Sequence, residues 1–160
     1  MRPGLEDAQG VGRVALAMVL GGALGLNRSL RGKAVGPRTM ALVAMGAALL
    51  AWLGSVYAAH EPDGGNDASA ATRVLQGIIT GIGFLGAGVI LRDRAQHVRG
   101  LTTASAIWFA AAMGGAAGAG QGWVALGTTA LALAVLASAP LERRLRQRLT
   151  RGGDADGPPR

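Results

Sequence analysis

Five stretches of this chain carry no charge, and each approaches the length that crosses a lipid bilayer as a helix. Thr39–Ala59, Val74–Leu91, Leu101–Ala119 and Trp123–Ala139 hold no Asp, Glu, Lys or Arg. A hydrocarbon core about 30 Å thick needs roughly 17–25 such residues. Val14–Leu26 is shorter and reaches that span only with flanks such as Val11 and Asn27. Inside a bilayer the backbone must satisfy its own hydrogen bonds, so uninterrupted apolar runs of this length are helices. The expectation is an all-α, polytopic transmembrane bundle of about five spans, with helices near 11–27, 39–59, 74–91, 101–119 and 123–139. Residues 1–10 form an outer N-terminal segment, 11–140 the membrane domain, and 141–160 a cytoplasmic tail.

Composition agrees. Half of the residues are hydrophobic and 16% are charged, against roughly 25% charged in soluble domains. Glycine is 27 of 160 residues, more than twice the usual ~7%. The apolar content excludes a disordered chain, and the long uncharged runs argue against a soluble enzyme. With no cysteine, thiolate metal sites and Cys nucleophiles are ruled out. His60 and His97, the only histidines, fall in different loops, which leaves no basis for a zinc site or a catalytic triad. No catalytic, cofactor-binding or metal-ligating residue is assigned, and no enzyme activity is expected. A dehydrated Mg²⁺ site wants carboxylate oxygens, and a proton relay wants an ionisable chain; no run contains either. Glu61, Asp63 and Asp67 lie together in an outer loop, which reads as solvated and at most gathers cations weakly.

Basic residues set the orientation. Twelve of the sixteen Lys and Arg residues fall in three segments: Arg28–Arg38, Arg92–Arg99 and Arg143–Arg151. These segments alternate with acidic ones, as five spans require, so the N-terminus is expected outside and the C-terminus in the cytoplasm. The first run reads as a membrane helix rather than a signal peptide. Its leader mixes Arg2 and Arg13 with Glu6 and Asp7, and no small-x-small cleavage site follows. Leu141, Leu145 and Leu149, with arginines between them, read either as a basic amphipathic helix on anionic headgroups or as a plain topological anchor. Residues 152–160 have a disordered composition. No aromatic residues interleave with the arginines, so nucleic acid is not an expected partner.

Gly81, Gly83 and Gly86 match a dinucleotide-binding pattern but lie inside an uninterrupted apolar run, without the strand and acidic residue that the pattern needs. Close helix packing is the better reading, since glycine lets backbones approach in lipid. Gly77 and Gly81, Gly21 and Gly25, and Gly114 and Gly118 are small-xxx-small pairs. The alternative is unwound or path-lining backbone from Gly81 to Gly88. Gln76 and Thr80 beside them fit either interhelical hydrogen bonding or a solute path. A second cluster gathers on the cytoplasmic side: Asn27, Arg28, Arg38, Thr39, Arg99, Thr102 and Thr103. Thr39 and Thr102 suit helix N-caps, and Pro37 suits a helix start. Helix N-termini and arginines attract anions, so the cluster reads either as ordinary capping with positive-inside charge or as a site for an anion, anionic lipid or partner.

Leu26-Asn27-Arg28-Ser29-Leu30-Arg31-Gly32-Lys33, followed by Gly36-Pro37-Arg38-Thr39, resembles the first helix junction of the MgtC/SapB family. Gln76-Gly77-Ile78-Ile79-Thr80-Gly81-Ile82-Gly83-Phe84-Leu85-Gly86-Ala87-Gly88 resembles its central signature. Val98-Arg99-Gly100-Leu101-Thr102-Thr103-Ala104, with Trp108 beyond, resembles its third block. The resemblance implies a bacterial inner-membrane protein tied to survival under magnesium limitation and, in pathogens, to growth inside macrophages. It implies a regulatory action on a membrane partner, as for a member described as regulating the F-type ATP synthase, rather than movement of magnesium. The chain departs from the family where Asn27 replaces a usual Glu and where Ala70-Ala71 replace a usual Asp-Pro. It resembles the short form that lacks a cytoplasmic C-terminal domain. The combined expectation is a non-enzymatic membrane protein serving magnesium-limitation or acid-stress adaptation. It would act on another membrane protein, or by self-association, through the glycine faces of helices one, three and four, with Arg28, Arg38 and Arg99 binding the partner or lipid; Gln76, Gly77, Thr80, Gly81, Gly83, Gly86 and Gly88 are the candidate packing or path residues. The alternative is a small oligomeric transporter or channel.

Overall fold

The computed structural model describes residues 3–59, 67–92 and 98–138. Five helices make an all-α bundle: α1 Pro3–Leu30, α2 Pro37–Ala58, α3 Asp67–Val89, α4 Leu101–Gly118 and α5 Gly122–Ala137. Between α3 and α4 lies a short antiparallel pair, β1 Leu91–Arg92 and β2 Val98–Arg99, in register Leu91 to Arg99. By length and composition, α1, α2 and α3 each contain a segment able to cross a membrane. Helix α4 has 18 residues and α5 has 16, so they rise about 27 and 24 Å.

Two helices outrun the apolar stretches that located them. Helix α1 starts at Pro3 rather than near residue 11. Pro is favoured at the first helical position, and Glu6 in the first turn complements the helix dipole. Helix α3 starts at Asp67 rather than near residue 74, through an Ala-rich stretch that readily forms helix. An uncharged run marks only the part of a helix suited to hydrocarbon. The outer-loop residues His60, Glu61 and Asp63, together with His97 and the expected tail helix with Leu141, Leu145 and Leu149, fall outside the described residues.

The core sits around α2. Its residues Met40, Ala44, Ala47, Ala48 and Ala51 recur at helical spacing and are buried. All but Met40 are alanines, so neighbouring backbones can come close. A Cβ added at Gly21 of α1 would stand 2.6 Å from the Met40 carbonyl oxygen. At Gly25 it would stand 2.7 Å from the Gly36 carbonyl oxygen. On the other flank, a Cβ at Gly114 of α4 would lie 2.8 Å from Ala44 Cα, and one at Gly118 would lie 2.7 Å from Ala48 Cα. No side chain fits at these four positions without moving α2. Leu24, Met40 and Ile107 fill the space between α1, α2 and α4 as the largest fully buried side chains.

The C-terminal ends of α1 and α4 are closed by glycine. Gly32 has φ +64°, and there Lys33 N–H donates to the Arg28 carbonyl at 3.1 Å while Gly32 N–H donates to Ser29 at 2.9 Å. Gly120, with φ +86°, ends α4 in the same way through Gln121 N–H to Ala116 at 2.9 Å. This is the left-handed C-terminal motif that glycine forms without steric cost. Arg13 Nη1 donates to the Gly118 carbonyl at 3.1 Å, placing positive charge where the α4 dipole is negative.

Gly100 carries the sharpest local constraint. Its φ is +92°, and an added Cβ would collide with the Val89 carbonyl oxygen. The left-handed conformation alone costs a non-glycine residue about 1–2 kcal/mol. Gly100→Ala is therefore expected to lower stability by at least about 2 kcal/mol, the collision adding to the backbone cost. Thermal unfolding of the detergent-solubilised protein would check this, and an unchanged midpoint would contradict it.

Candidate functional site

Three helix ends meet on one side of the bundle. Arg28 lies on the last turn of α1, and its carbonyl accepts from both Arg31 and Lys33 N–H at 3.1 Å, which fixes the backbone that carries it. The start of α2 rests on Gly25, one turn earlier on α1. The first turn of α4 carries Thr103. The Arg28 guanidinium crosses to α4 and donates from Nη2 to Thr103 Oγ1. Arg28 is 2% exposed and Thr103 is 5% exposed, so this is an arginine enclosed by protein.

The guanidinium is only partly satisfied. Arg28 Nε and the neighbouring Asn27 Oδ1 are buried without a hydrogen-bond partner. The carboxylates among the described residues are remote. Glu6 and Asp7 are about six turns back along α1, roughly 32 Å away. Asp67 opens α3, whose far end leads to α4. Among the described residues, no group of three His, Asp or Glu could hold a metal ion. The described charged residues at this end of the bundle, Arg28, Arg31, Lys33, Arg38 and Arg99, are all basic.

The other members of the expected cluster divide. Thr102 is exposed beside Thr103 and lines a cleft between α4 and α5. Arg38, Thr39 and Arg99 are exposed at the surface, so burial concentrates on Arg28 and Thr103 alone. The expected caps are corrected. Helix α2 begins at Pro37 behind Gly36, and α4 begins at Leu101 behind Gly100, neither with a side-chain cap hydrogen bond. Thr39 and Thr102 already lie inside the first turns. Pro37 and Gly100 start the helices earlier because their backbone torsions suit those positions.

Helix α3 holds the second set. Gly77, Gly81, Gly83 and Gly88 have open space where a Cβ would be, and Gly86 meets only Ala104 Cβ at 3.9 Å. Among the described residues, Gly77, Gly81, Gly83 and Gly88 are not packed against another helix. Among the described side chains of α3 Ile82 is the buried one, while Phe84 is 82% exposed. At 100° per residue, Gly77, Gly81, Phe84 and Gly88 share one face, turned away from Ile82. Gln76 is exposed, and its carbonyl accepts from Thr80 Oγ1 at 2.8 Å within the helix.

The α4–α5 cleft was not anticipated. It has a volume of about 480 Å³ and includes Ser105, Trp108, Phe109, Thr128 and Leu131. Its existence depends on the separation of two helices, which spacing along one chain does not encode. A partial signal was present: Thr102, Ser105 and Phe109 recur along one side of α4, and Thr128 interrupts an apolar helix.

The sequence profile of the MgtC family matches residues 14–144. The chain is 44% identical over 116 residues to protein SrpB of Synechococcus elongatus, covering 68% of this chain and 62% of that one. It is 42% identical over 107 residues to protein MgtC of Brucella abortus, covering 67% and 41%. It is 39% identical over 109 residues to YhiD of Escherichia coli, provisionally named a magnesium transporter, covering 68% and 50%. The chain thus spans about half the length of these relatives. No solved structure matches it.

Thr103→Val is expected to leave a second guanidinium nitrogen unpaired and to cost roughly 1–3 kcal/mol. Thr103→Ser keeps the hydroxyl and should cost only about the ~0.8 kcal/mol of one methyl group. Unfolding of the two variants side by side checks the bond; equal losses would contradict it.

Proposed function

Because the chain belongs to the MgtC family, we propose that it is a non-enzymatic, multi-pass inner-membrane protein with a regulatory or accessory role. Its setting is adaptation to magnesium limitation or acid stress, and it works by contact with another membrane protein. The α3 face carries this reading. Glycine in a membrane helix lets another backbone approach, and no described residue comes within 4 Å of a Cβ placed at Gly77, Gly81 or Gly88. In the Thr72–Val89 segment only 6% is buried, against 33% for α1 and for α2. The alternating basic segments support an outside N-terminus and a cytoplasmic C-terminus, which puts the Arg28–Thr103 end on the cytoplasmic side.

Gly81→Leu tests the reading cleanly, because the new side chain enters open space and the fold should survive. The variant is expected to unfold like the parent yet lose co-purification with its membrane partner. A folded variant that still retains the partner would refute a glycine-mediated contact.

A transporter or channel is the second reading. It is favoured by the exposure of Gln76 and Thr80 on α3 and by the name given to YhiD. The chain has no native cysteine, so single Cys substitutions at Gln76 and Thr80 can be probed with membrane-impermeant thiol reagents. Labelling at both positions in intact membranes would favour a water-filled path. Protection at both would favour the helix contact.

A further inference from the structure

We infer that the turn joining α1 to α2 is a docking surface for anionic phospholipid headgroups, presented by Arg31, Lys33 and Arg38. The inference stands apart from the α3 contact and holds or fails without it. Both helices contain segments able to cross a membrane, Glu6–Leu30 and Pro37–Ala58, so residues 31–36 lie where hydrocarbon gives way to headgroups. From Arg28 to Arg38 the sequence has four basic residues and no Asp or Glu. Arg28 is enclosed by protein and takes no part. Arg31, Lys33 and Arg38 are exposed.

Three contacts fix this turn. Gly32, at φ +64°, lets Lys33 N–H reach the Arg28 carbonyl at 3.1 Å. Val35 is buried in the core cluster. Gly25 leaves room for the start of α2, since a Cβ there would collide with Pro37 Cα. The three basic side chains are thus carried on an ordered backbone, so binding a headgroup costs less ordering than it would on a loose loop.

Apolar surface leads into the charge. Val19, Leu26 and Leu30 share one face of α1 at 100° per residue, and all three are exposed, Leu30 to 80%. Arg31 follows Leu30 directly. An exposed apolar stripe that ends in exposed basic residues matches a phospholipid, in which acyl chain and headgroup are joined end to end. An acidic protein segment would meet the charge and leave the stripe unmatched. Each Lys or Arg held near an anionic surface strengthens attraction roughly five-fold, and here three are held together.

Native mass spectrometry of the full chain in detergent tests this with phosphatidylglycerol and phosphatidylcholine of the same acyl chains. The parent is expected to retain phosphatidylglycerol at least about five-fold more strongly, and the preference should shrink as salt is raised. A triple variant, Arg31→Gln with Lys33→Gln and Arg38→Gln, should lose most of that preference. Its thermal unfolding midpoint should stay close to the parent's, because all three side chains are exposed. The variant keeps the arginines between 143 and 151, so a preference that survives in it belongs elsewhere in the chain and overturns the proposal. Equal retention of the two lipids by the parent would do the same. Lys33→Gln alone should lose part of the preference and decides the matter if the triple variant does not fold; an unchanged preference there would overturn the proposal. Poly-glutamate that binds the parent in phosphatidylcholine nanodiscs and is not displaced by phosphatidylglycerol would assign the turn to an acidic protein segment, and would equally overturn it.

Discussion

The backbone of α2 lies directly against glycines of α1 and α4, and the rest of the bundle depends on that contact. Lipid tails are as apolar as leucine, so helices in a bilayer gain little by hiding apolar side chains from one another. They associate through close packing and interhelical hydrogen bonds. Gly21 and Gly25 on one side of α2, and Gly114 and Gly118 on the other, bring three backbones within range of both. The alanines of α2 complete the fit by adding bulk no larger than a methyl group.

The polar site follows from this geometry. Once α1 and α4 are both held against α2, the last turn of α1 and the first turn of α4 become neighbours, and Arg28 reaches Thr103. Gly32 and Gly100 fix the two backbones at those ends through left-handed torsions. The result is a buried cation with an unused donor, next to an unused acceptor on Asn27. The chain therefore carries two features of different chemistry: an enclosed arginine where α1 and α4 meet, and a glycine face along α3.

Much of the fold was legible in the sequence because hydrocarbon imposes a length and forbids charge. The uncharged runs located all five helices, and the three sequence blocks led to the family. The pattern could not separate two kinds of glycine pair. Gly77 with Gly81 and Gly114 with Gly118 share the same four-residue spacing, yet the first pair faces open space and the second is pressed against α2. Which face a helix turns inward is settled by its neighbours, not by its own repeat. The Arg28–Thr103 bond joins residues 75 positions apart. Both were within the expected cluster, but nothing local distinguishes them from Arg38 or Arg99, which stay at the surface. The threonine caps were misplaced because glycine and proline torsions start the helices earlier.

The central claim is that glycines clasping α2 hold the bundle while those of α3 are left for something outside it. The direct measurement is equilibrium unfolding of single alanine variants at Gly21, Gly25, Gly114 and Gly118, beside variants at Gly77, Gly81 and Gly88. The first group should lose roughly 1–3 kcal/mol each, the cost of forcing a methyl group into filled space. The second group should stay within about 0.5 kcal/mol of the parent. Equal losses in the two groups, or larger losses on α3, would contradict the account.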